Sequence, residues 1–280
     1  MQLIKSAKRL TKRLSGLRRT GKRIGFVPTM GDLHEGHLSL VRHARRENDV
    51  IVVSIFVNPT QFGPQEDFKR YPRNLSRDQK LLKREHVDFL FAPSRASIYP
   101  KQFKEFVNPG PLARHLCGPK RPGHFRGVAT VVKLLFGIVQ PHAAYFGQKD
   151  YQQVKVIEDM VRRIHLPVQV KMCPIIRETD GLAMSSRNRY LSGKKRISAR
   201  CLYQALLEGK RLVHLGERRV QSVKRAVRRV LMSHVDKIDY VEVVDPDKLS
   251  PLQRVRIPVL IAVACYIGST RLIDNLLVKR

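Results

Sequence analysis

The sequence predicts an α/β protein built on a doubly wound parallel sheet, followed along the chain by a smaller α+β domain. Three observations predict it. Strand-sized apolar runs alternate with helix-length segments through the first two thirds of the 280 residues. The runs are continuous rather than alternating, as strands covered on both faces must be. The last third changes character, turning basic and helical before it closes on strands. A chain of this length also exceeds what one hydrophobic core usually fills, which argues for about two domains.

The elements follow in order. The start carries nine Lys or Arg and no acid before Asp32, a composition shared with transit peptides. Leu3, Leu10, Leu14 and Leu17 nevertheless lie at roughly helical spacing and lead into a strand, so a first structural helix is predicted. Strands are read at 24–28, 50–57, 87–91, 143–146 and 168–172, with helices at 37–46, 74–85, 128–139 and 151–164. Residues 193–234 are expected to form two helices, the second over 220–233. Strands follow at 240–244, 259–266 and 272–277, the first closed by Asp245-Pro246-Asp247. The domains are set at 1–176 and 177–280, with the boundary inside 174–181.

Composition excludes several classes. Apolar residues make up 42% and charged residues 28%, which suits a globular core and not a disordered tail. No apolar run approaches the roughly 18 residues of a membrane span, so no membrane partner is expected. Cys117, Cys173, Cys201 and Cys265 are widely spaced with no C-x-x-C pair, against a zinc ribbon or thioredoxin-type site. Four such cysteines fit small apolar fillers in a reducing, cytoplasmic setting. The charge is abnormal: 54 Lys and Arg against 23 Asp and Glu give +31. That suits a polyanionic partner, a basic source proteome or an altered surface, and the balance alone does not choose among them.

The strongest chemical signal is Phe26-Val-Pro-Thr-Met-Gly-Asp-Leu-His-Glu-Gly-His37. A strand ends, a turn holding Gly31 follows, and a helix begins near Gly36. His34 and His37 are thereby set at the carboxyl edge of the sheet beside a helix N-terminus, where open α/β sheets bind ligands and where phosphate is favoured. The histidine spacing is i and i+3 with Gly36 between, which is not the zinc-protease pattern, and no Walker A loop is present. Three further segments join it: Ser54-Ile-Phe-Val-Asn-Pro-Thr-Gln-Phe-Gly63, Gly147-Gln-Lys-Asp-Tyr-Gln-Gln153 and Gly181-Leu-Ala-Met-Ser-Ser-Arg-Asn-Arg189. The first two run off strands to the same edge, where the third could close over them. Lys149, Arg187, His34 and His37 would then surround a phosphate chain, with Ser185 and Ser186 as neutral donors.

The ordered set Pro28-Thr-Met-Gly-x-Leu-His-x-Gly-His37, Asn58-Pro-x-Gln61-Phe-Gly, Gly147-x-Lys-Asp-Tyr-Gln-Gln153 and Met184-Ser-Ser-Arg-Asn-Arg-Tyr-Leu191 resembles the pantoate–β-alanine ligase family of the nucleotidylyltransferase superfamily. Tyr71-Pro-Arg73, His124-Phe-x-Gly127 and Thr270-Arg-Leu-Ile-Asp274 extend the resemblance over essentially the whole chain. It implies a Rossmann-like HxGH fold with a C-terminal lid domain. The implied reaction is a two-step synthesis of pantothenate from ATP, pantoate and β-alanine through pantoyl adenylate, with Mg²⁺ accompanying ATP, in a homodimer. None of the nucleophile constellations is evident, and in-line attack by a substrate carboxylate needs only alignment and charge neutralisation.

The resemblance also implies roles. Met30, Gly31, Asp32, Leu33, His34, Glu35, Gly36 and His37 would bind ATP, His34 and His37 donating to phosphates. Gly147, Gln148, Lys149 and Asp150 would meet the nucleotide, Lys149 neutralising transition-state oxygens, and Ile176 would touch adenine. Met184, Ser185, Ser186 and Arg187 match a mobile triphosphate clamp. Gln61 and Gln153 would hold pantoate, Gln61 also β-alanine, with Arg121 and His124 at that entrance. Asp78 is the candidate magnesium ligand.

Two departures from the family pattern stand out. Gln148 replaces a frequent Glu, and the charge exceeds the near-neutral family habit. Residues 194–232 hold twelve Lys or Arg against Glu208 and Glu217. Two other readings are carried: a basic nucleic-acid-binding protein and a tRNA-synthetase-like adenylating enzyme. No helix-turn-helix, zinc-finger or RNP pattern supports the former, and 280 residues leave little room for the tRNA-reading part of the latter. A nucleic-acid partner is left open by the charge alone.

Overall fold

Six strands form one all-parallel sheet in the order β1-β4-β3-β2-β5-β6. The computed structural model describes residues 1–279, which divide into two units. The first comprises residues 1–113, 121–147 and 153–174; the second comprises 114–120, 148–152 and 175–280.

The first unit runs β1 (Gln2–Ile4), α1 (Ala7–Arg19), β2 (Ile24–Thr29), α2 (Glu35–Glu47), β3 (Val50–Ile55), α3 (Leu75–Arg84), β4 (Phe89–Phe91), α4 (Arg95–Ile98), α5 (His124–Val139) and β5 (Ala143–Gly147). It ends on α6 (Tyr151–Arg163), whose first two residues belong to the second unit, and β6 (Gln169–Cys173). The predicted continuous strands are there because both faces are covered. Ile24, Phe26, Val50 and Val52 pack with Leu10, Leu14, Val128, Phe136 and Val154 on one face. Val27, Ile51 and Val53 pack with Leu38, Val41 and Leu82 on the other. Alternate residues of β2 and β3 thus feed two cores, so nearly every position in them is apolar.

From β2 the chain winds outward through β3 and β4, then returns to β5 on the other side of β2. The switch in winding direction therefore falls between β2 and β5, and ligands of such sheets bind outside the carboxyl ends there. The segment singled out from the sequence leaves β2 at that point.

The second unit contains α7 (Gly193–Ser198), α8 (Cys201–His214), α9 (Val220–Met232), β7 (Lys237–Val244), β8 (Val259–Ile267) and β9 (Thr270–Val278). The three strands are antiparallel in the order β7-β8-β9. Leu202, Leu206, Val223 and Val227 from the helices pack with Val241, Val243, Ile261 and Val263 of the sheet. Gly209 lets the two helices close: a Cβ there would stand 2.8 Å from Val227 and 3.0 Å from Ile261.

Four readings are corrected. Leu3 lies not on the first helix but on β1, a three-residue edge strand paired with β4; a strand that short shows no periodicity. Residues 193–234 hold three helices rather than two, because α7 precedes the predicted pair. The strand placed at 50–57 ends at Ile55, since Asn58 already caps the next turn. Helix α5 begins at His124 rather than residue 128.

Candidate active site

The turn after β2 is held by side chains on both flanks. Thr29 Oγ1 donates to the Ser54 carbonyl (2.7 Å) and accepts from the Gly31 N–H (3.2 Å). Gly31 and Asp32 have φ of 87° and 51°. At Gly31 a Cβ would also come within 3.0 Å of Ile55 and 3.1 Å of the Asp78 carboxylate, so glycine is required by both conformation and space. Asp78 Oδ2 accepts the N–H of Asp32 (2.9 Å), and Oδ1 accepts that of Leu33 (2.8 Å).

Asp78, the candidate magnesium ligand, braces the turn. Its carboxylate is 1% exposed and both oxygens are committed to backbone donors. Burial pushes its pKa up, against the two N–H groups that favour the charged form. Among the described residues no cluster of three or more His, Cys, Asp and Glu side chains is arranged to hold a metal ion.

The braced turn delivers two imidazoles. His34 caps α2 with extended backbone (φ −136°), and the ring centres of His34 and His37 lie 4.1 Å apart. The His34 backbone N–H donates to His37 Nδ1 at 3.4 Å. A ring nitrogen that accepts leaves the other as donor, so Nε2 of neutral His37 carries the proton. Glu35 points elsewhere, pairing with Arg42, which also holds Glu85. Leu33 is fully buried in the core and supports the turn.

Gln61 is fixed from several directions within the same unit. Asn58 donates to Gln61 Oε1 (3.0 Å) and to the Gly127 carbonyl (3.2 Å), and accepts from Tyr99 Oη (2.8 Å) and Thr60 Oγ1 (3.0 Å). The Gln61 amide reaches the sulfur of Met30 at 3.2 Å, linking the two loops. Arg121 approaches His124 Nε2 at 2.9 Å, and His124 Nδ1 lies 2.8 Å from the Gln61 carbonyl. Arginine can only donate, so His124 accepts at Nε2 and donates from Nδ1. Glu66 receives Arg121 through both oxygens (2.7 and 2.6 Å). Burial raises the Glu66 pKa, but the guanidinium outweighs it and leaves the carboxyl below its ordinary value.

The second unit holds the other set. Gln148–Asp150 forms a single 3₁₀ turn, and Asn275 on β9 clamps it. The Asn275 amide donates to the carbonyls of Gln148 (3.0 Å) and Lys149 (2.9 Å), and its oxygen receives the Gln148 amide at 3.4 Å. The Asn275 N–H donates to Asp274 (2.8 Å), which takes both terminal nitrogens of Arg177 (2.7 and 3.0 Å). Arg177 stacks 3.8 Å from the Tyr203 ring centre. Burial holds the Asp274 pKa above its ordinary value despite that partner.

A short hairpin then sets Met184 against Ile176, whose carbonyl accepts the Met184 N–H at 3.0 Å. Ser185 caps the turn Ser186–Tyr190 by accepting the Arg187 N–H (3.3 Å). Asn188 ties this turn back to Glu178 (2.8 Å) and the Ala183 carbonyl (3.2 Å).

Structure thus gathers Met30–His37, Gln61 and Asp78 in the first unit, where Gly147 ends β5 and Gln153 lies on α6. Gln148, Lys149, Asp150, Ile176 and Met184–Arg187 fall in the second. Asp150 is exposed and Lys149 half-buried. Sequence reasoning missed the roles of Asn58, Glu66 and Asn275. Asn58 opens a motif already noticed and Asn275 directly follows another, so adjacency was the available signal. The four cysteines are buried and free, and burial pushes the Cys173 and Cys201 thiols up to about 11 and 12.

Sheet order, switch point and histidine turn define a nucleotidylyltransferase-like α/β protein. The family profile described as pantoate-beta-alanine ligase matches residues 2–277. The pantothenate synthetase of Thermotoga petrophila is 54% identical over 277 residues, covering 98% of this chain and 99% of its own. The chain belongs to the pantoate–β-alanine ligase family. Among solved structures, pantothenate synthetase from Thermus thermophilus aligns with a TM-score of 0.95 at 47% identity over 100% of both chains. The Francisella tularensis ligase, complexed with beta-gamma ATP and beta-alanine, gives 0.83 at 36% identity over 99% of this chain and 97% of its own.

Two substitutions test this architecture. A Cβ on Gly127 would lie 2.3 Å from the Thr60 carbonyl oxygen and 2.7 Å from the Gln61 nitrogen, both backbone atoms. Gly127→Ala should displace the Gln61 turn, cost about 1–3 kcal/mol of stability, and raise the pantoate KM; an unchanged melting temperature and KM would refute the packing argument. Asp78→Asn puts an amide against one of two N–H donors. It should lower kcat/KM by about tenfold or more, from the loss of a charge-assisted bond, while the Mg²⁺ concentration for half-maximal rate stays within about twofold. A large shift in that Mg²⁺ requirement would mark Asp78 as a metal ligand as well as a brace.

Proposed function

We propose that the protein condenses (R)-pantoate with β-alanine, using ATP and releasing AMP and pyrophosphate through a pantoyl-adenylate intermediate. The observation that carries this reading is the braced turn that presents His34 and His37 at a helix N-terminus beside the switch point of the sheet. Support comes also from the Francisella relative with its beta-gamma ATP and beta-alanine.

In the first step a pantoate carboxylate oxygen attacks the α-phosphorus and the bond to the bridging oxygen breaks, expelling pyrophosphate. His37 Nε2–H and the His34 ring donate to phosphate oxygens whose charge grows in the transition state. Lys149 adds a compact positive charge, and Ser185, Ser186 and Arg187 hold the leaving phosphates. Mg²⁺ is proposed to arrive on the ATP, screening its phosphates.

Gln61, held by Asn58, Met30 and His124, orients pantoate, its amide both donating to the carboxylate and meeting hydroxyls. Gln153 shares that role. In the second step the β-alanine amine attacks the adenylate carbonyl carbon, loses a proton, and AMP leaves. Gln61 serves β-alanine as well. We place this reaction in the cytoplasm, in the supply of pantothenate for coenzyme A. No helix among the described residues is long and apolar enough to cross a membrane.

An AMP-release assay omitting one component at a time tests the reading. AMP should appear only with ATP, Mg²⁺, pantoate and β-alanine together, and pantoate alone should support pyrophosphate exchange. His37→Ala and Lys149→Ala should each lower turnover about 10²-fold or more. Asn275→Ala, which frees two carbonyls at Lys149, should lower kcat more than it raises the pantoate KM. Full activity in all three variants, or exchange without pantoate, would overturn the mechanism.

We also propose a homodimer. Two chains of +31 repel one another, and salt screens that repulsion with a Debye length near 10 Å at 0.1 M. Light scattering should show the mass rising from one chain toward two as salt increases; one constant mass at every salt concentration contradicts salt-controlled pairing.

A further inference from the structure

The ligase reading leaves the charge unexplained, and one concentration of it lies on α1 and just before it. Leu10 and Leu14 are fully buried, and the helix is tied down by Thr11 donating to the Ile138 carbonyl (2.9 Å) and Arg18 to the Val139 carbonyl (3.0 Å). Its other side is solvent. Lys5, Lys8, Arg9, Lys12, Arg13 and Arg19 are all exposed. Lys5 lies just before the helix; at about 100° per residue the other five fall within roughly 140° of arc, and the six span about 20 Å of chain.

None of these six side chains has a hydrogen-bond or ion-pair partner among the described residues. Some cations elsewhere in the chain are paired, while Lys83 and Arg84 on α3 and Arg225 and Arg229 on α9 are exposed like these six. Arg42 is held by Glu35 and Glu85, Arg45 by Asp88, Arg211 by Glu208 and Arg219 by Glu217. The α1 arrangement also works against its own helix. Lys8–Lys12 and Arg9–Arg13 are like-charged i,i+4 pairs, each unfavourable by a few tenths of a kcal/mol. The first turn has no acid, so Lys8 and Arg9 oppose the dipole. A local rule broken without compensation inside the protein marks a place where the compensation comes from outside.

We propose that the exposed face of α1 binds the phosphate backbone of double-stranded nucleic acid, without reading base sequence. A duplex carries one charge per about 1.7 Å of axis, so the length of this stripe faces roughly twelve phosphates, enough to meet all six cations. The first aromatic residue in the chain is Phe26, fully buried, so α1 offers no ring on which unpaired bases could stack, as single-strand binders require. A bilayer is the poorer fit. The leucines are committed to the core, and no large exposed hydrophobic residue lies on α1 for insertion among lipids.

Fluorescence anisotropy with a random-sequence 20-base-pair RNA or DNA duplex tests this, titrated between 50 and 200 mM salt. The variant Lys8→Gln/Arg9→Gln/Lys12→Gln/Arg13→Gln removes four contacts. Its salt slope should fall by about 3.6, so that the unaltered chain loses about 10²-fold more affinity over that range than the variant does. AMP release should be unchanged, and the melting temperature equal or higher, because like-charge repulsion is relieved. A control, Arg225→Gln/Arg228→Gln/Arg229→Gln/Lys248→Gln, removes the same charge from the second unit and should bind within about twofold of the unaltered chain at 150 mM salt. Equal loss in the control would mean diffuse attraction and overturn the assignment to α1. No binding by the unaltered chain at 150 mM salt, or tighter binding to phosphatidylserine-containing vesicles than to duplex, would overturn the nucleic-acid partner.

Discussion

One buried carboxylate holds the site's most sensitive turn. Asp78 sits in the first turn of α3 and takes the N–H groups of two consecutive residues ahead of His34. Without it those donors would be buried beside a glycine and a residue at positive φ, with no intrahelical partner available to them. Each charge-assisted bond is worth about 1.5–3 kcal/mol, against a desolvation cost that raises the Asp78 pKa. The position of both histidines depends on that balance, because Asp32 and Leu33 fix where α2 begins.

A second device recurs with a different residue. Asn58 and Asn188 each use one amide to bind two different segments of chain, and Asn275 uses one to hold two consecutive carbonyls. Two donors on one small planar group can satisfy carbonyls that no regular element reaches, which suits loops whose backbone cannot pair in a ladder. Arg121 extends the same logic. Glu66 orients the guanidinium, the guanidinium selects the His124 tautomer, and His124 then donates to the Gln61 carbonyl. The reactive side chains are few, and most of the polar structure near them serves to keep them still.

The legible and illegible parts of this molecule divide along physical lines. The parallel strands were readable because a strand buried on both faces is apolar along most of its length, as β2, β3 and β5 are apart from Thr29 and Ser54 near the ends of the first two. The histidine turn was readable because its Gly, its positive φ and its helix cap are local. β1 escaped notice because three residues at a sheet edge carry no period. The Asn275 clamp joins residues 126 and 127 apart in sequence, a relation no local pattern encodes. Asp78 was legible as a carboxylate near phosphate chemistry. The donors it accepts from are backbone N–H groups that look alike at every position, and only the fold shows which ones it meets.

Charge follows a similar division. Net charge counts every cation alike, yet their energetic situations differ. Arg177 and Arg271 are drawn inside by Asp274 and Asp239 and stiffen the second unit; Arg121 is spent on Glu66 and His124. Those cations belong to the fold. The five exposed ones on α1 and Lys5 just before it face only water and one another, so those on the helix lower its stability and add nothing to the core beneath it. An external anion would be stabilised there without first displacing an internal partner, whereas at Arg211 or Arg219 it would have to compete with Glu208 or Glu217. The same net charge is therefore inert on one surface and available on another, and availability, not the total of +31, decides where a polyanion binds.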